Sequence, residues 1–414
     1  MQASQVFWQL TPDPAPAPVA AEGPLPAATA VAVVGGGLTG LSAALTLAER
    51  AVPVLVLESG ALADGASGRN GGQVLTGFNV GIRDLVRHLG PDTARELWRQ
   101  SVAAVDRVAE WVERYRIPCD FVRHGNLQLA DSPATLDDFA AEREALAAAG
   151  VPAELLDREE TSRRLGSRFY VGALYDPLAG GINPYRFALG LAAAAQAAGA
   201  VLRAHTPVTA VEGRGPFVLH TPAGRVRAET VLLAANAFAG ALDPFLARRI
   251  RRLEASIMAT APMPEALAAR VLPGRETAFD NTARLRYFQR TADGRLVFGG
   301  RVHDAARRAA ARQLSRALAD VFPEARTLGA AYLWSGPIAL SRDGLPHLGR
   351  TPSGLYYAAG YSGHGVALAT WLGAQAAQWI LAGTADWPPW TALAFPVWTA
   401  DERRSAPALV AERP

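Results

Sequence analysis

Residues 31–73 have the composition and spacing of a site for a dinucleotide. Four small or β-branched apolar residues lead into Gly35, Gly37 and Gly40, which have G-x-G-x-x-G spacing. Glycine at these positions permits a tight strand-to-helix turn, close approach of the backbone to a pyrophosphate, and close packing of the helix on the sheet. The phosphates of the ligand would then lie at the positive end of the helix that begins near Leu38.

An acidic residue follows this turn at the expected distance. A second apolar run ends at Glu58, 18 residues beyond Gly40. A carboxylate at the end of the second strand can accept hydrogen bonds from the two ribose hydroxyls of an adenosine. Strand, turn, helix and acid together predict a βαβ unit that binds a dinucleotide, but FAD and NAD share the same ADP half. No second G-x-G-x-x-G segment is present for NAD(P)H, which disfavours a reductase or hydroxylase driven by pyridine nucleotides.

A second strand-glycine-helix pattern lies near the C-terminus. The strand 355–359 leads into a glycine-rich turn from Gly360 to Gly365, and a helix follows. A helix N-terminus presented by glycines suits a developing negative charge, such as the N1–C2 carbonyl edge of a reduced flavin. We interpret His364 as a residue of this turn or of the flavin edge, with acid–base catalysis as the alternative.

The segment 283–301 predicts a β-hairpin with Asp293 and Gly294 at its turn. Strand alternation separates a mostly apolar face from a charged face: Leu285, Tyr287 and Gln289 against Arg284, Arg286 and Arg290. The first face either covers a ligand cavity or belongs to an ordinary half-buried sheet.

The composition limits the partners and the chemistry. The chain has 414 residues, 50% of them hydrophobic, which suffices for two domains or one domain with a large insertion. It contains no lysine, so no lysine Schiff base or lysine general base is available. The cluster Arg248, Arg249, Arg251 and Arg252 lacks interleaved aromatic residues. It predicts a solvated or interface-facing turn, and we expect no nucleic-acid partner.

Cysteine usage and the N-terminus favour a cytoplasmic location. The single cysteine, Cys119, cannot form an intramolecular disulfide, and the first basic residue is Arg50, so the positive region of a secretory signal is missing. The stretch 351–385 contains no Asp, Glu or Arg, but it contains Gln375, Gln378 and many alanines. We therefore expect a buried helix there and no membrane span.

The remaining chain predicts a mixed organisation. Residues 1–26 are rich in Pro and Ala and predict an extended arm, and residues 386–414 predict a tail that packs on the body through its aromatic residues. Helical periodicity alternates with short strands, which indicates an α/β core with an α+β portion. The helices are expected at about 83–115, 134–149, 185–199 and 304–322.

Four segments make the chain resemble the D-amino-acid-oxidase superfamily of FAD-dependent amine oxidoreductases, and within it the γ-glutamylputrescine oxidoreductases. They are GASGRNGGQ (65–73), GGINPYRF (180–187), YFQRTADGRLVFGG (287–300) and GYSGHGV (360–366). The resemblance implies an α/β fold in which a Rossmann-like FAD-binding domain is interleaved with an α+β substrate domain that contains an antiparallel sheet. The implied FAD-binding segments are 27–80, 170–242 and 333–385, and the substrate segments are 81–169 and 243–332.

The resemblance also implies site residues. Its FAD-binding positions fall on Gly35, Gly37, Leu38, Thr39, Gly40, Glu58, Ser59, Ser67, Arg69, Asn70, Gly71, Gly72, Gln73, Val208, Gly336, Gly360, Gly363, His364, Gly365 and Val366. Gly336 aligns with the cysteine that attaches FAD in sarcosine oxidases, and residues 59–74 contain no histidine, so the implied FAD is non-covalent. Tyr287, Tyr361 and His364 are the candidate catalytic residues, and Arg342 or Arg290 is the candidate for binding an acidic substrate tail.

The implied reaction is the transfer of a hydride from the α-carbon of an amine to flavin N5, giving an imine that hydrolyses. Oxygen would be the acceptor and hydrogen peroxide the product. Ala367 stands where sarcosine oxidases have the lysine that binds the substrate carboxylate, which favours γ-glutamylputrescine or a similar N-substituted amine, although an arginine could substitute. The alternatives are a glycine- or sarcosine-type oxidase or dehydrogenase, and a non-catalytic flavin-binding scaffold.

Overall fold

A computed structural model describes residues 5–10, 23–282, 285–300, 307–385, 387 and 389–404. These residues form eighteen strands: β1 (Ala28–Val34), β2 (Val54–Leu57), β3 (Gln73–Val74), β4 (Asn126–Ala130), β5 (Glu154–Leu156), β6 (Gly172–Asp176), β7 (Gly180–Gly181), β8 (Val201–Arg203), β9 (Ala210–Glu212), β10 (Phe217–Thr221), β11 (Gly224–Leu233), β12 (Arg251–Thr260), β13 (Thr277–Asp280), β14 (Tyr287–Arg290), β15 (Leu296–Gly300), β16 (Ala330–Leu340), β17 (His347–Arg350) and β18 (Tyr356–Ala359).

The same residues form twelve α-helices: α1 (Leu38–Ala48), α2 (Ala66–Arg69), α3 (Ile82–Leu89), α4 (Pro91–Arg114), α5 (Pro133–Ala148), α6 (Arg158–Leu165), α7 (Pro184–Ala197), α8 (Pro244–Ala247), α9 (Glu265–Ala268), α10 (Arg307–Val321), α11 (Gly365–Ala382) and α12 (Ala400–Arg404). Short 3-10 helices lie at Phe7–Leu10, Asn236–Ala241, Pro323–Thr327 and Trp390–Ala392.

The first sheet carries the predicted βαβ unit. Its order is β17-β18-β11-β1-β2-β8, and β10 and β9 extend it beside β11. The five strands β8, β2, β1, β11 and β18 run parallel, so their carboxyl ends meet at one edge. The helix α1 between β1 and β2 is buried on almost every side, because it packs against α7 and α11 as well as the sheet. The predicted α/β fold with a Rossmann-like domain is confirmed.

The second sheet faces the first and has the order β16-β12-β15-β14-β13-β4-β6-β5. Its neighbours pair antiparallel except β4 and β13, which are parallel. The helix α10 covers one side, where Phe288 stacks on Phe298 with ring centroids 5.4 Å apart. Strands β6 and β16 belong to this sheet, although the segments implied for the FAD-binding domain include them.

The predicted hairpin is present as β14 and β15, and Gly294 at its turn has a φ of 76°. The helix expected at 83–115 is instead two helices, α3 and α4. They separate at Gly90, whose φ of 82° is outside the helical region, and Pro91 begins the second helix.

Residues 5–10 differ from the expected extended arm. Phe7–Leu10 form a 3-10 helix, and Val6, Phe7 and Trp8 are buried against the second sheet. The proline-rich residues 11–26 dominate the composition of residues 1–26, so the composition did not predict that these three apolar residues would be buried. The described part of the C-terminal tail packs on the body through Trp390 and Phe395, which are both buried.

The arginine cluster lies only partly in a turn, and Arg248 and Arg252 are its exposed members. Arg248 and Arg249 follow α8, whereas Arg251 and Arg252 begin β12. Arg249 donates to the carbonyl oxygen of Phe395, so part of the cluster holds the tail in place. In the part of the chain that the structure describes, no helix is long and apolar enough to cross a membrane.

A buried ion pair stabilises the second sheet beside the cavity described below. Arg286 Nη1 lies 2.9 Å from Asp280 Oδ2, and the two side chains are 6% and 0% exposed. Tyr170 donates its hydroxyl to the same carboxylate oxygen at 2.6 Å. The arginine expected on a charged outer face of the hairpin is therefore inside the protein, since that face packs under α10.

Removing one partner of this pair leaves a buried charge without its counter-ion. We expect Arg286→Met to lower the stability by about 3 kcal/mol. The matched control is Arg163→Met, because Arg163 pairs with Glu160 at the surface, where solvent screens the pair, and its loss should lower the stability far less. The measurement is thermal unfolding of both variants. Equal losses in the two variants would contradict the assignment.

Candidate active site

A cavity of about 670 Å³ lies between the two sheets, within the usual range for ligand sites. One wall is formed by the carboxyl ends of β1, β2 and β11 and by the turn before α11. The opposite wall comes from β12, β13, β14 and β16 of the second sheet. The position outside the carboxyl ends of parallel strands is the usual place for a ligand in this type of sheet.

The glycine turn after β1 leaves the end of α1 open to this cavity. Gly35 has a φ of 115°, and a Cβ there would lie 2.8 Å from the carbonyl oxygen of Ala234. A Cβ on Gly37 would lie 2.6 Å from Ser67 Oγ. That hydroxyl accepts a hydrogen bond from the N–H of Leu38 at 2.9 Å. Ser67 therefore caps the first N–H of α1, and the positive end of the helix dipole faces the cavity, as at phosphate sites.

Glu58 is fixed at the end of β2 by backbone donors. Its Oε2 accepts from the N–H of Gly36 at 2.7 Å, and its Oε1 accepts from the N–H of Gly60 at 2.9 Å. Glu58 and the loop residue Val208 both line the cavity. The carboxylate is thus oriented before any ligand binds, in the place predicted for a ribose partner.

The segment 64–72, which we call the cavity loop, passes between the two sheets. Its side chains hold its own backbone: Asn70 Oδ1 accepts from the N–H of Gly72 at 2.8 Å. Two glutamines attach the region to the second sheet. Gln289 donates to the carbonyl oxygen of Gly71 at 2.6 Å, and Gln73 donates to that of Ala278 at 2.8 Å.

The turn before α11 contributes Tyr361 and His364. Tyr361 and Thr39 share a hydrogen bond of 2.7 Å between their hydroxyls, which joins this turn to α1. His364 occupies the N-cap position of α11 without a side-chain capping bond, and it contacts Phe279 edge-on, with ring centroids 6.4 Å apart. Burial lowers the pKa of His364 to about 4, so the imidazole is neutral at physiological pH. Its Nδ1 is buried and has no hydrogen-bond partner among the described residues.

Two tyrosines form an apolar wall. The ring of Tyr287 covers Gly71, where a Cβ would lie 3.0 Å from its edge carbons. Burial raises the pKa of both Tyr287 and Tyr361 well above the usual tyrosine value. Both phenols therefore remain protonated at neutral pH and act as hydrogen-bond donors or acceptors, not as bases.

The charged side chains that line the described cavity are paired within the protein. The carboxylate of Glu58 accepts from two amides, Arg69 Nη2 lies 2.7 Å from Asp64 Oδ1, and Arg252 donates to Glu254. A ligand therefore meets mainly backbone donors, hydroxyls, side-chain amides and aromatic rings.

Most of the residues predicted for the site do line the cavity: Gly35, Gly37, Leu38, Thr39, Glu58, Ser59, Ser67, Arg69, Asn70, Gly71, Gln73, Val208, Tyr287, Gly336, Tyr361, Gly363, His364, Gly365 and Val366. Gly40, Gly72 and Gly360 lie behind the surface of the cavity and shape its turns. A Cβ on Gly40 would collide with the carbonyl oxygen of Gly35, and Gly360 donates its N–H to Asn236 Oδ1 at 3.0 Å.

The two arginines proposed for an acidic substrate tail are placed elsewhere. Arg342 Nε donates to Glu402 Oε1 at 2.8 Å, so its guanidinium holds the C-terminal tail. Arg290 donates to the carbonyl oxygens of Leu272 and Pro273. Neither arginine lines the cavity.

Sequence reasoning missed several residues of the cavity. Asn236 lies three residues beyond the end of β11, and Phe279 lies on β13 beside the predicted hairpin. The position of Asn236 at the carboxyl end of a parallel strand was a usable signal. Pairing between strands places Phe279, Arg252 and Glu254 in the site. The spacing of residues along the chain does not show which strands pair.

Comparison with known proteins agrees with this geometry. A family model described as FAD dependent oxidoreductase (DAO) matches residues 30–379, and the chain belongs to this family. It is 36% identical to the γ-glutamylputrescine oxidoreductase of Escherichia coli over 340 residues, covering 81% of this chain and 80% of that protein. It is also 36% identical to the probable oxidoreductase OrdL of Haemophilus influenzae over 345 residues, covering 82% and 79%.

A solved structure of similar fold is glycine oxidase from Geobacillus kaustophilus, with a TM-score of 0.71 and 26% identity over 84% of this chain and 93% of that one. The protein is therefore an FAD-dependent oxidoreductase of the class that acts on amines.

The residues present fit FAD. The glycine turn, the open end of α1 and the oriented carboxylate of Glu58 suit an ADP moiety, and the unpaired Nδ1 of His364 marks a polar position that a flavin edge can satisfy. Gly336 lines the cavity where a cysteine would be needed for a covalent link. The single cysteine, Cys119, is buried and does not line the cavity.

The role of Glu58 can be measured directly. A glutamine there offers only one acceptor oxygen and must point an NH₂ group at a backbone donor. We expect Glu58→Gln to raise the Kd of FAD by at least about tenfold, measured by titrating the apoprotein with flavin fluorescence as the signal. Glu212→Gln is the control, since Glu212 is an exposed partner of His220. An unchanged Kd in Glu58→Gln would remove this residue from the site.

Proposed function

We propose that the protein is a cytoplasmic oxidase of amines whose oxidised carbon carries no carboxylate, with γ-glutamylputrescine or a similar N-substituted amine as substrate and oxygen as acceptor. The observation that carries this proposal is the pairing of the charged side chains lining the described cavity. A substrate carboxylate beside the reacting carbon would need an available cation, and burying it without one is strongly unfavourable. The 36% identity to a γ-glutamylputrescine oxidoreductase supports the same substrate class.

The reaction consumes one amine, one O₂ and one water, and it yields an aldehyde, ammonia or an amine, and H₂O₂. Bound FAD supplies the acceptor for the hydride that leaves the amine carbon. The protein orients the amine between Tyr287 and Tyr361 and excludes water with the apolar wall around them. The N-terminus of α11 supplies a positive end of a helix dipole where negative charge develops.

The described site provides no strong base. Tyr287 and Tyr361 keep their protons, and His364 with a pKa of about 4 is too weakly basic to hold a proton at neutral pH. The amine must therefore react as its neutral form, and the protein contributes by binding that form in a site of low polarity. The chain's own residues position the substrate but transfer no proton from the carbon.

One observation favours a second candidate, an oxidase of small amino acids. The chain is 28% identical to the glycine oxidase of Geobacillus kaustophilus over 362 residues, covering 84% of this chain. The two candidates make opposite demands on the site, because glycine and sarcosine that are oxidised at the α-carbon carry a carboxylate on the reacting carbon.

An anaerobic spectrum of the FAD-bound protein separates them. We expect γ-glutamylputrescine to bleach the flavin band, and readmission of air to restore the band with formation of H₂O₂. Putrescine is the matched control for the glutamyl group, and sarcosine and glycine are the controls for the carboxylate. Faster bleaching by glycine or sarcosine would establish the second candidate. Bleaching that air does not reverse would indicate a dehydrogenase, and a flavin band that none of these amines bleaches would refute the proposal.

The pH dependence tests the assignment of His364. A lowered pKa means that His364 becomes protonated only near pH 4, so ionisation of His364 should not affect flavin reduction between pH 5.5 and 8. In this window we expect the rate to rise with pH as the amine loses its proton, and His364→Asn to show a parallel profile. An inflection near pH 6.5 that the variant lacks would show that the imidazole titrates during the reaction.

A further inference from the structure

Residues 5–10, which we call the N-terminal clasp, pack on the outer side of the cavity loop. Val6, Phe7 and Trp8 are at most 4% exposed. They belong to a hydrophobic cluster with Ile257 and Trp334 of the second sheet. The clasp itself does not line the cavity, so any effect on a ligand must pass through the loop.

Two hydrogen bonds connect the clasp to this loop. Trp8 Nε1 donates to the carbonyl oxygen of Asn70 at 2.9 Å, and Gln9 Nε2 donates to Asp64 Oδ1 at 3.0 Å. The same carboxylate oxygen of Asp64 lies 2.7 Å from Arg69 Nη2. The clasp therefore contacts the loop at both of its ends.

A second tryptophan also donates a hydrogen bond to the backbone of the cavity loop. Trp334 Nε1 on β16 donates to the carbonyl oxygen of Arg69 at 2.9 Å. The helix α2 ends at Arg69, and the last carbonyl groups of a helix have no partner within it. Two tryptophans thus bind the consecutive carbonyl oxygens of Arg69 and Asn70 from outside the cavity.

These contacts fix the direction of a backbone donor. In a planar trans peptide the N–H points away from the preceding C=O, and no described residue from 64 to 72 has a cis peptide bond. With the carbonyl of Asn70 held by Trp8, the N–H of Gly71 faces the opposite side. Gly71 lines the cavity beneath the ring of Tyr287.

We propose that the N-terminal clasp is part of the FAD site and that Trp8 and Trp334 are positioning residues, which hold the peptide planes of residues 69–71 so that the loop presents its backbone donors to FAD. Packing alone would not require the indole N–H, because Phe7 and Val6 already supply apolar area. A phenylalanine at position 8 retains a ring but leaves the carbonyl of Asn70 without its donor, which frees the 70–71 peptide to rotate.

The test compares three variants that each lose one indole N–H donating to a backbone carbonyl. Trp8→Phe and Trp334→Phe lose a bond to the cavity loop, whereas the control Trp379→Phe loses the bond to the carbonyl oxygen of Thr384 at the end of α11. The Kd of FAD is measured on the apoproteins by flavin fluorescence, with thermal unfolding of each apoprotein alongside. We expect an increase of about tenfold in Kd for the first two variants and less than about twofold for the control.

A second readout separates positioning from stability. The visible spectrum of bound FAD should shift in Trp8→Phe and Trp334→Phe at saturating FAD, but not in the control. Should Trp8→Phe fail to fold, Gln9→Ala replaces it, since Gln9 is exposed and its loss leaves the cluster intact; a Kd increase of about threefold is then expected.

The clasp would be merely structural if these variants lowered the unfolding temperature and left both the Kd and the spectrum unchanged. Neither readout requires an amine, so this proposal and the proposed substrate can fail independently.

Discussion

The site depends on how closely α1 approaches its neighbours. A Cβ on Gly40 would collide with the carbonyl oxygen of Gly35, and a Cβ on Gly373 would collide with that of Thr39. Because these positions carry only hydrogen, α1 packs directly on the sheet on one side and on α11 on the other. The starts of the two helices then converge, which brings the hydroxyls of Thr39 and Tyr361 within 2.7 Å. Both helices thus direct their positive ends at one cavity.

The opposite wall belongs to another sheet, so its position relative to α1 must be set by contacts between the sheets. Side-chain amides provide part of this connection, since Gln73 and Gln289 donate to backbone carbonyls across the gap. Trp334 adds a donor from β16. These bonds are neutral and directional, so salt screens them far less than it screens surface ion pairs. The geometry between the sheets therefore depends little on the many arginine–carboxylate pairs at the surface.

Sequence reasoning succeeded where the chemistry is local. The glycine turn, Glu58 and the hairpin at Gly294 each depend on residues close together in the chain, and their spacing determines the backbone. It did not predict that Arg342 pairs with Glu402, which lies 60 residues away. It also did not predict that Trp8 binds the backbone of Asn70 across 62 residues. It also failed at Gly90, because the helical pattern runs through α3 and α4, whereas the positive φ of Gly90 and Pro91 at the start of α4 separate the two helices. The family resemblance identified the FAD-binding loop, but it could not show which side chains hold that loop.

Because the chain contains no lysine, the cations in the charge pairs of the cavity are all arginines. Arginine keeps its proton at all physiological pH values and forms planar, directional bonds, so each cavity arginine that pairs with a neighbour is a structural element and cannot switch to a proton-transfer role. Arg69 and Arg252 are committed in this way to Asp64 and Glu254. Selection among amines must then rely on shape, aromatic contact and neutral hydrogen bonds. Such a pocket discriminates one methylene by only about 10- to 200-fold, so amines that differ by one methylene should differ only modestly in rate. Under the proposed function, a carboxylate on the reacting carbon should be excluded much more strongly.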